Sequence, residues 1–381
     1  MNRKVIILGL SATAKYVAKE CYDVGIYCVG IDRAKGAGYY SKYFSEKHIL
    51  EESGCRAFLK DALRNSAIQL LVCPTTDEWI EFIAEESLFR DEDRLVTSQG
   101  YLDESHRTLG DKKELQMLCE KLDIAYPKSV ICVGTEQPNV ELDLTFPVFC
   151  KPTNRSGLSH IMKGSKGWVI QNRTDLLALL AQKDLAGIEL IVQEIITGPE
   201  SNIKVLATVA GTEAPSWVGA KVRQFPPDFG SGSLVVKEDI PVLSQIAQQL
   251  IQATAYQGFF ALEVKLCPIR NRFYIIEVNP RPSLWFSATT HSRTDLVKHW
   301  LNTLIERPYT TSSVDTQTTI VWQYAYKDLA ARLLARRKGK SQKWAYSRPF
   351  KKTYAVWDWR DPLPFMYDLW TGLSKFIKRS I

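Results

Sequence analysis

Residues Phe259 to Pro282 read FFALEVKLCPIRNRFYIIEVNPRP, and the fold follows from how this stretch pairs. Two apolar runs rich in β-branched and aromatic residues flank the polar turn Cys267-Pro268-Ile269-Arg270-Asn271, the pattern of an antiparallel hairpin. Alternation along each strand predicts one face with Phe260, Leu262, Val264, Leu266, Tyr274, Ile276 and Val278. The other face then carries Glu263 and Lys265 on the first strand, Glu277 and Asn279 on the second. A turn centred near residue 270 sets Glu263 opposite Glu277. Two neighbouring carboxylates on an apolar hairpin repel each other unless a cation sits between them. Glu, Glu and an Asn carbonyl are hard oxygen donors, suited to Mg²⁺ or Mn²⁺ and not to zinc.

A structural ion-pair network, with Lys265 and Arg281 neutralising the acids, is the alternative reading of the same residue types. Glu263 followed by Glu277-x-Asn279-Pro280-Arg281 at a strand end resembles the metal-binding core of the ATP-grasp ligases. The resemblance implies that Glu263, Glu277 and Asn279 hold magnesium on the ATP phosphates, while Arg281 steadies the phosphoryl group in transfer. Many relatives have Asp where this chain has Glu263, and some carry Arg where it has Ala261.

Upstream, Phe146 to Pro152 reads as a buried strand ending in Lys151, followed by a Gly-, Ser- and cation-containing loop from Thr153 to Gly167. Such a loop can close over a triphosphate with backbone N–H groups and charge, or can be an ordinary solvated loop. Asp111 caps a helix that opens with Lys112 and runs to about Leu122. By resemblance, Lys112 and Lys151 contact the nucleotide phosphates. Ile188 to Ile196 is a strand whose end, in this superfamily, receives adenine. Backbone groups near Ile195 and Ile196 would read the purine edge, with Gln193 or Glu194 at the amino group and Glu200 on the ribose. Glu194 and Glu200 could equally be surface acids. Two more strands, Lys204 to Ala210 and Ser216 to Val222, lead to Arg223-Gln224-Phe225-Pro226-Pro227-Asp228-Phe229-Gly230. That run resembles a substrate-side loop of polysaccharide-linked carboxylate–amine ligases and nominates Arg223 as a second catalytic cation. Pro241 to Tyr256 has helical apolar spacing and should pack behind the hairpin, and a helix near Thr294 to Glu306 should close the core.

The N-terminus opens with strand Lys4 to Gly9, helix Ser11 to Asp23 and strand Tyr27 to Asp32, a Rossmann-like βαβ start. Gly9-Leu10-Ser11-Ala12-Thr13-Ala14 has one of the three fingerprint glycines, so NAD binding is rejected. Strand Ile68 to Cys73 and a helix capped by Thr76-Asp77-Glu78 continue this unit, which resembles a pre-ATP-grasp domain. Ser41-Lys42-Tyr43 and, far downstream, Asp361-Pro362-Leu363-Pro364 extend the resemblance. The expected fold is α/β, an ATP-grasp fold with a Rossmann-like N-terminal domain. Its expected divisions are 1–108, then 109–306 in two lobes (109–187 and 188–306), then a basic aromatic extension, 307–381.

With 381 residues, 45% hydrophobic and 24% charged, the composition is that of a soluble globular protein. The 8 Cys lack C-x-x-C or zinc spacing, which points to buried reduced thiols and a cytoplasmic setting. No signal peptide or membrane span is expected. The net charge of +7 is uneven: residues 310–381 hold 14 Lys+Arg against 5 Asp+Glu, a local +9, together with five of the 10 Trp. Phe365, Met366, Leu369, Trp370, Leu373, Phe376 and Ile377 recur at helical spacing, with Lys375, Lys378 and Arg379 at the end. This amphipathic helix either packs on the core or meets the inner face of the membrane peripherally.

The function expected is ATP-dependent activation of a small-molecule carboxylate as an acyl phosphate and its transfer to an amine, in the setting of surface polysaccharide. ATP and Mg²⁺ (or Mn²⁺) are the expected cofactors, and no nucleic-acid partner is expected; the oligomeric state is left open. A thiol acceptor, a D-amino-acid or peptide ligase, and a non-catalytic ATP-binding scaffold are the competing readings.

Overall fold

The apolar N-terminal run forms β1 (Asn2–Leu8), followed by α1 (Ala12–Asp23), β2 (Tyr27–Asp32), β3 (Glu46–Ile49), α2 (Glu52–Ala62), β4 (Ile68–Pro74) and α3 (Asp77–Glu85). In the computed structural model, residues 2–134, 143–153, 167–227, 229–305, 309–311, 318–337 and 350–380 are described, with side chains from 3 through 374. With β5 (Leu95–Val96), these strands make a parallel sheet in the order β3-β2-β1-β4-β5. The strand order reverses between β1 and β4, the crevice where open α/β sheets take ligands. Gly9 lies there at φ +117°, and a Cβ would meet Thr75 Oγ1 at 2.1 Å. It serves the close approach of two loops, in keeping with the missing dinucleotide fingerprint. Asp32, at the end of β2, also organises the loops, accepting from the backbone N–H of Leu10 (2.7 Å) and from Trp79 Nε1 (3.3 Å).

Short helices α4 (Leu88–Asp91), α5 (Gln99–Leu102) and α6 (Ser105–Gly110) lead to α7 (Lys112–Lys121). Asp111 caps α7 by accepting from the N–H of Lys113 (2.8 Å) and Glu114 (3.1 Å), as an Asp N-cap does. Four strands follow as a small antiparallel sheet, β6 (Ser129–Val133), β7 (Val148–Pro152), β8 (Trp168–Ile170) and β9 (Glu189–Glu194), ordered β6-β9-β7-β8. Helix Arg173–Leu180 backs it through Leu176, Leu179 and Leu180. Most of the loop expected to close on phosphate (154–166) and Asp228 lie outside the described residues, as do Trp344 and Glu306.

The large sheet comprises β10 (Ile203–Ala210), β11 (Trp217–Phe225), β12 (Ser231–Lys237), β13 (Gly258–Cys267), β14 (Arg272–Asn279), β15 (Thr319–Gln323) and β16 (Phe350–Tyr354). Their order is β14-β13-β10-β11-β12-β15-β16. The segment read as an extension therefore supplies two strands to this sheet, β15 antiparallel to β12 and β16 parallel to β15. Helix Pro241–Thr254 presents Leu243, Ala247 and Leu250 to Phe260, Leu262 and Val264 behind the hairpin, as its spacing predicts. The helix expected over 294–306 is shorter, Leu296–Asn302. It packs Trp300 on Phe259, ring centroids 5.5 Å apart.

The hairpin register confirms one expectation and corrects another. Glu263 lies directly opposite Glu277. The pairing then slips, because Val264 faces Ile275 and leaves Ile276 as a bulge. One extra residue reverses the alternation on the turn side. Ile275, not Ile276, joins the core, and Tyr274 leaves the Leu262 face to pack with Ile196 and Cys267.

The C-terminal residues are stitched to the N-terminal sheet. Ser41 Oγ donates to Asp361 (2.6 Å), Tyr43 Oη donates to Asp358 (2.6 Å), and buried Lys15 Nζ donates to the Val356 carbonyl (2.7 Å). Two sequence motifs more than 300 residues apart, Ser41-Lys42-Tyr43 and Asp361-Pro362-Leu363-Pro364, thus meet. All eight cysteines are buried and free.

Candidate active site

A cleft of 1280 Å³ runs between the four- and seven-stranded sheets and reaches the crevice of the parallel one. Lys112, Lys151, Gln193, Glu194, Ile195, Ile196, Glu263, Glu277, Asn279 and Arg281 all line it. Of the sequence-predicted residues, only Arg223 and Glu200 do not.

The floor is the hairpin end. Asn279 Nδ2 donates to Glu277 Oε1 at 3.3 Å, on the strand beside Glu263. Buried Lys221, from the neighbouring part of the sheet, forms an ion pair with Glu263 Oε2. Lys221 is thus a cation on Glu263 beyond the two expected from sequence, Lys265 and Arg281, and Arg281 also feels the charge of Glu277. Sequence reading missed it because Lys221 is 42 residues from Glu263, inside an apolar strand. Two carboxylates and an amide carbonyl within one strand pair fit a hard divalent cation. Among the described residues, no group of three or more His, Cys, Asp or Glu offers a softer or richer site.

Arg281 is held by the first turn of α3. Its Nε donates to Asp77 Oδ1 (2.6 Å) and its Nη2 to Asp77 Oδ2 (3.0 Å), a two-pronged pair. Between Asn279 and Arg281, the Pro280 carbonyl lies 3.0 Å from Tyr101 Oη and 2.9 Å from Tyr256 Oη. Both tyrosines are buried. The backbone carrying the metal-ligand candidate and the phosphate-arginine candidate is therefore fixed by two side chains 155 residues apart in sequence, Tyr101 and Tyr256.

The opposite wall is the small sheet. Lys151 is buried on β7, and Lys112 Nζ donates to the Thr153 carbonyl at 2.7 Å, tying the start of α7 to the strand end. Phe149, two residues before Lys151, stacks on Phe229 of the β11–β12 turn with centroids 4.4 Å apart. The stack bridges the four- and seven-stranded sheets. Gln193 is buried between β6 and β7. The Glu194 carboxylate is committed to Arg270 (2.8 and 3.0 Å) and to the N–H of Lys128 (3.0 Å). Burial pushes Glu194 up, but Arg270 and that N–H outweigh it and hold it below the ordinary Glu range. The Glu194 side chain, expected at the purine amino group, is thus already engaged by Arg270 and the Lys128 N–H. Glu200 accepts from the N–H of Gln224 at 3.2 Å, joining a one-turn helix to β11.

Arg223 is placed elsewhere. It makes a buried two-pronged pair with Asp328 (2.7 and 3.1 Å), which also accepts from Gln323 (2.7 Å) and Arg332 (3.1 Å). A β-bulge around Arg223 in the β11–β12 pairing turns its side chain out of line with Lys221. That pairing ties the large sheet to the C-terminal segment and sets Arg223 apart from the residues that line the cleft.

At the N-terminal end of the cleft, Glu81 receives Arg107 (2.8 Å) and faces His106 Nε2 at 3.6 Å. His106 and then Arg107 hold its carboxyl down at about 2.

No family model matches the chain. A D-aspartate ligase of Enterococcus faecium (strain Aus0004) is 27% identical over 195 residues, 48% of this chain and 46% of that protein. The chain thus matches about half the length of that curated relative. An N5-carboxyaminoimidazole ribonucleotide synthetase solved as its ADP complex superposes with a TM-score of 0.64 at 15% identity, over 84% of this chain and 81% of that one. An L-amino acid ligase from Bacillus licheniformis gives a TM-score of 0.58 at 12% identity, over 81% and 75%. Together with the three sheets and the cleft between them, these likenesses establish that the chain is built on the fold of the ATP-grasp ligases.

Proposed function

We propose that this protein is an ADP-forming carboxylate–amine ligase. The observation that carries the reading is the facing pair Glu263 and Glu277, with Asn279 and Arg281 at the strand end and Lys112 and Lys151 across one cleft. An ionised carboxylate is a poor acceptor for an amine. Transfer of the ATP γ-phosphoryl group to its oxygen gives an acyl phosphate and ADP. The amine nitrogen then attacks the acyl carbon, the amide bond forms, and phosphate leaves. Glu263, Glu277 and Asn279 would hold Mg²⁺ or Mn²⁺, which when bound offsets charge on the phosphates. Lys112 and Lys151 bind the nucleotide phosphates, and Arg281 supplies a planar fork to the group in transfer.

The D-aspartate ligase and the L-amino acid ligase favour an amino acid as the carboxylate or amine substrate. A cytoplasmic setting, a role in surface-polysaccharide modification and peripheral contact with the inner membrane face complete the reading. Screening amino acids and uronic acids for ADP release, with hydroxylamine to trap acyl phosphate, tests it. ADP formed only with an acid present, and a trapped hydroxamate, are expected. ATP bound without turnover under every acid and amine pairing would make the protein a scaffold.

A further inference from the structure

The C-terminal helix, Leu363–Ser380, is packed on one side and bare on the other. Its inner face is fixed: Tyr367 stacks on Tyr40 at 4.4 Å and donates to the Lys35 carbonyl (2.9 Å). Tyr324 Oη donates to Asp368 (2.9 Å), and Gly372 lies so close to the Tyr326 ring that a Cβ would meet it at 2.7 Å. Phe365 packs edge-on against Trp357 at 5.2 Å. The outer face carries Leu363, Met366, Trp370 and Leu373, exposed by 58, 61, 72 and 53%. Their spacing of three, four and three places them within one narrow stripe. The core therefore already holds this helix by its other side, and packing does not explain the stripe.

Charge identifies what the stripe meets. Of the five acids in residues 310–381, Asp328, Asp361 and Asp368 are buried. Asp358 is half-buried and accepts from Tyr43, and Asp315 lies outside the described residues. The cations Arg336, Arg337, Lys351, Lys352 and Arg360 are exposed. Arg360 lies over Trp359, which is 74% exposed. Among the described residues, the segment thus buries three of its acids and turns these cations, with Trp357, Trp359 and Trp370, outward, while Trp322 stays in the core. No helix of the described residues is long and apolar enough to cross a membrane.

We infer that this face seats the protein on an anionic lipid surface, with the stripe in the headgroup boundary and the cations on lipid phosphates. The loop under the helix begins at Arg33, which lines the cleft. The inference deepens the peripheral-contact part of the proposed function, but vesicle binding needs no turnover, so either can fail alone.

The test is co-sedimentation of the full chain with phosphatidylglycerol-rich or pure phosphatidylcholine vesicles, beside the double variant Trp370→Glu/Leu373→Glu. Both positions are exposed, and unchanged thermal unfolding of the variant confirms that it folds. Expected are binding to the anionic vesicles alone, loss of binding at high salt, and at least roughly tenfold weaker binding by the variant. Equal binding by variant and parent would overturn the inference. So would failure of the parent to bind, including the case in which the parent sediments as a dimer that the variant dissociates, which would make the stripe a contact with a second copy of this chain.

Discussion

Asp77 and Arg281, 204 residues apart, form a two-pronged ion pair at 2.6 and 3.0 Å that ties the first turn of α3 to the end of the β13–β14 hairpin. Asp77 is thereby a positioning residue for the arginine assigned to phosphoryl transfer. Asp77→Ala should lower kcat for ADP release by roughly ten- to a hundredfold while the KM for ATP changes little. Asp77→Glu should recover part of the loss. Arg281→Lys keeps the charge but loses the fork and should mimic Asp77→Ala. Unchanged kcat in both Asp77→Ala and Arg281→Lys would detach this pair from the chemistry.

Glu277→Gln should abolish turnover with the fold intact. The change removes one of the two facing carboxylates while keeping its shape, so a divalent cation bound there would lose a charged oxygen donor. ADP release at saturating Mg²⁺, with circular dichroism as the folding control, checks this. Near-parental turnover would return the acids to a structural ion-pair role.

Arg223→Ala should act on stability. It leaves the fully buried Asp328 without its two-pronged partner, a loss of about 3 kcal/mol for a broken buried pair. Urea unfolding should register that loss while the kcat of the folded fraction stays near the parent. A variant of parental stability with a collapsed kcat would restore Arg223 to catalysis.

Glu81 sets an acid-side effect. Its folded value of about 2 lies below the ordinary 4.5, so the unfolded chain binds the proton more tightly. The stabilisation is fully present above pH 4.5 and drains away as pH falls toward 2. Comparing the Tm of the parent and Glu81→Gln across that window checks the sign. The parent should lose its advantage on acidification, whereas a constant gap between the two would contradict the assignment.

Local signals made much of the site legible. The Glu263–Glu277 pairing followed from alternation and turn position, and the Asp111 cap placed Lys112. What stayed hidden was set by partners remote in sequence. Nothing near Arg281 names Asp77, nothing near Glu263 names Lys221, and Arg223 looked catalytic because Asp328 is 105 residues away. The bulge at Ile276 was also invisible, since two consecutive isoleucines suit a strand in either phase. Composition concealed β15 and β16: basic and aromatic residues around Thr319–Gln323 and Phe350–Tyr354 marked a tail, yet hydrogen bonding made them sheet.

The place of β15 beside β12 bears on how the chain is made. β12 ends at residue 237 and its outer neighbour begins at 319, so an emerging polypeptide exposes a finished strand edge while over eighty residues are still to be synthesised. Unpaired edges of this kind recruit other chains, and the nascent protein is most prone to aggregate during that interval. Stalled ribosome complexes ending at residue 305 should bind trigger-type chaperones and be cut by protease near β12. Complexes with the whole of 1–381 outside the tunnel should resist, and equal cleavage of both would mean that the edge is guarded before β15 arrives.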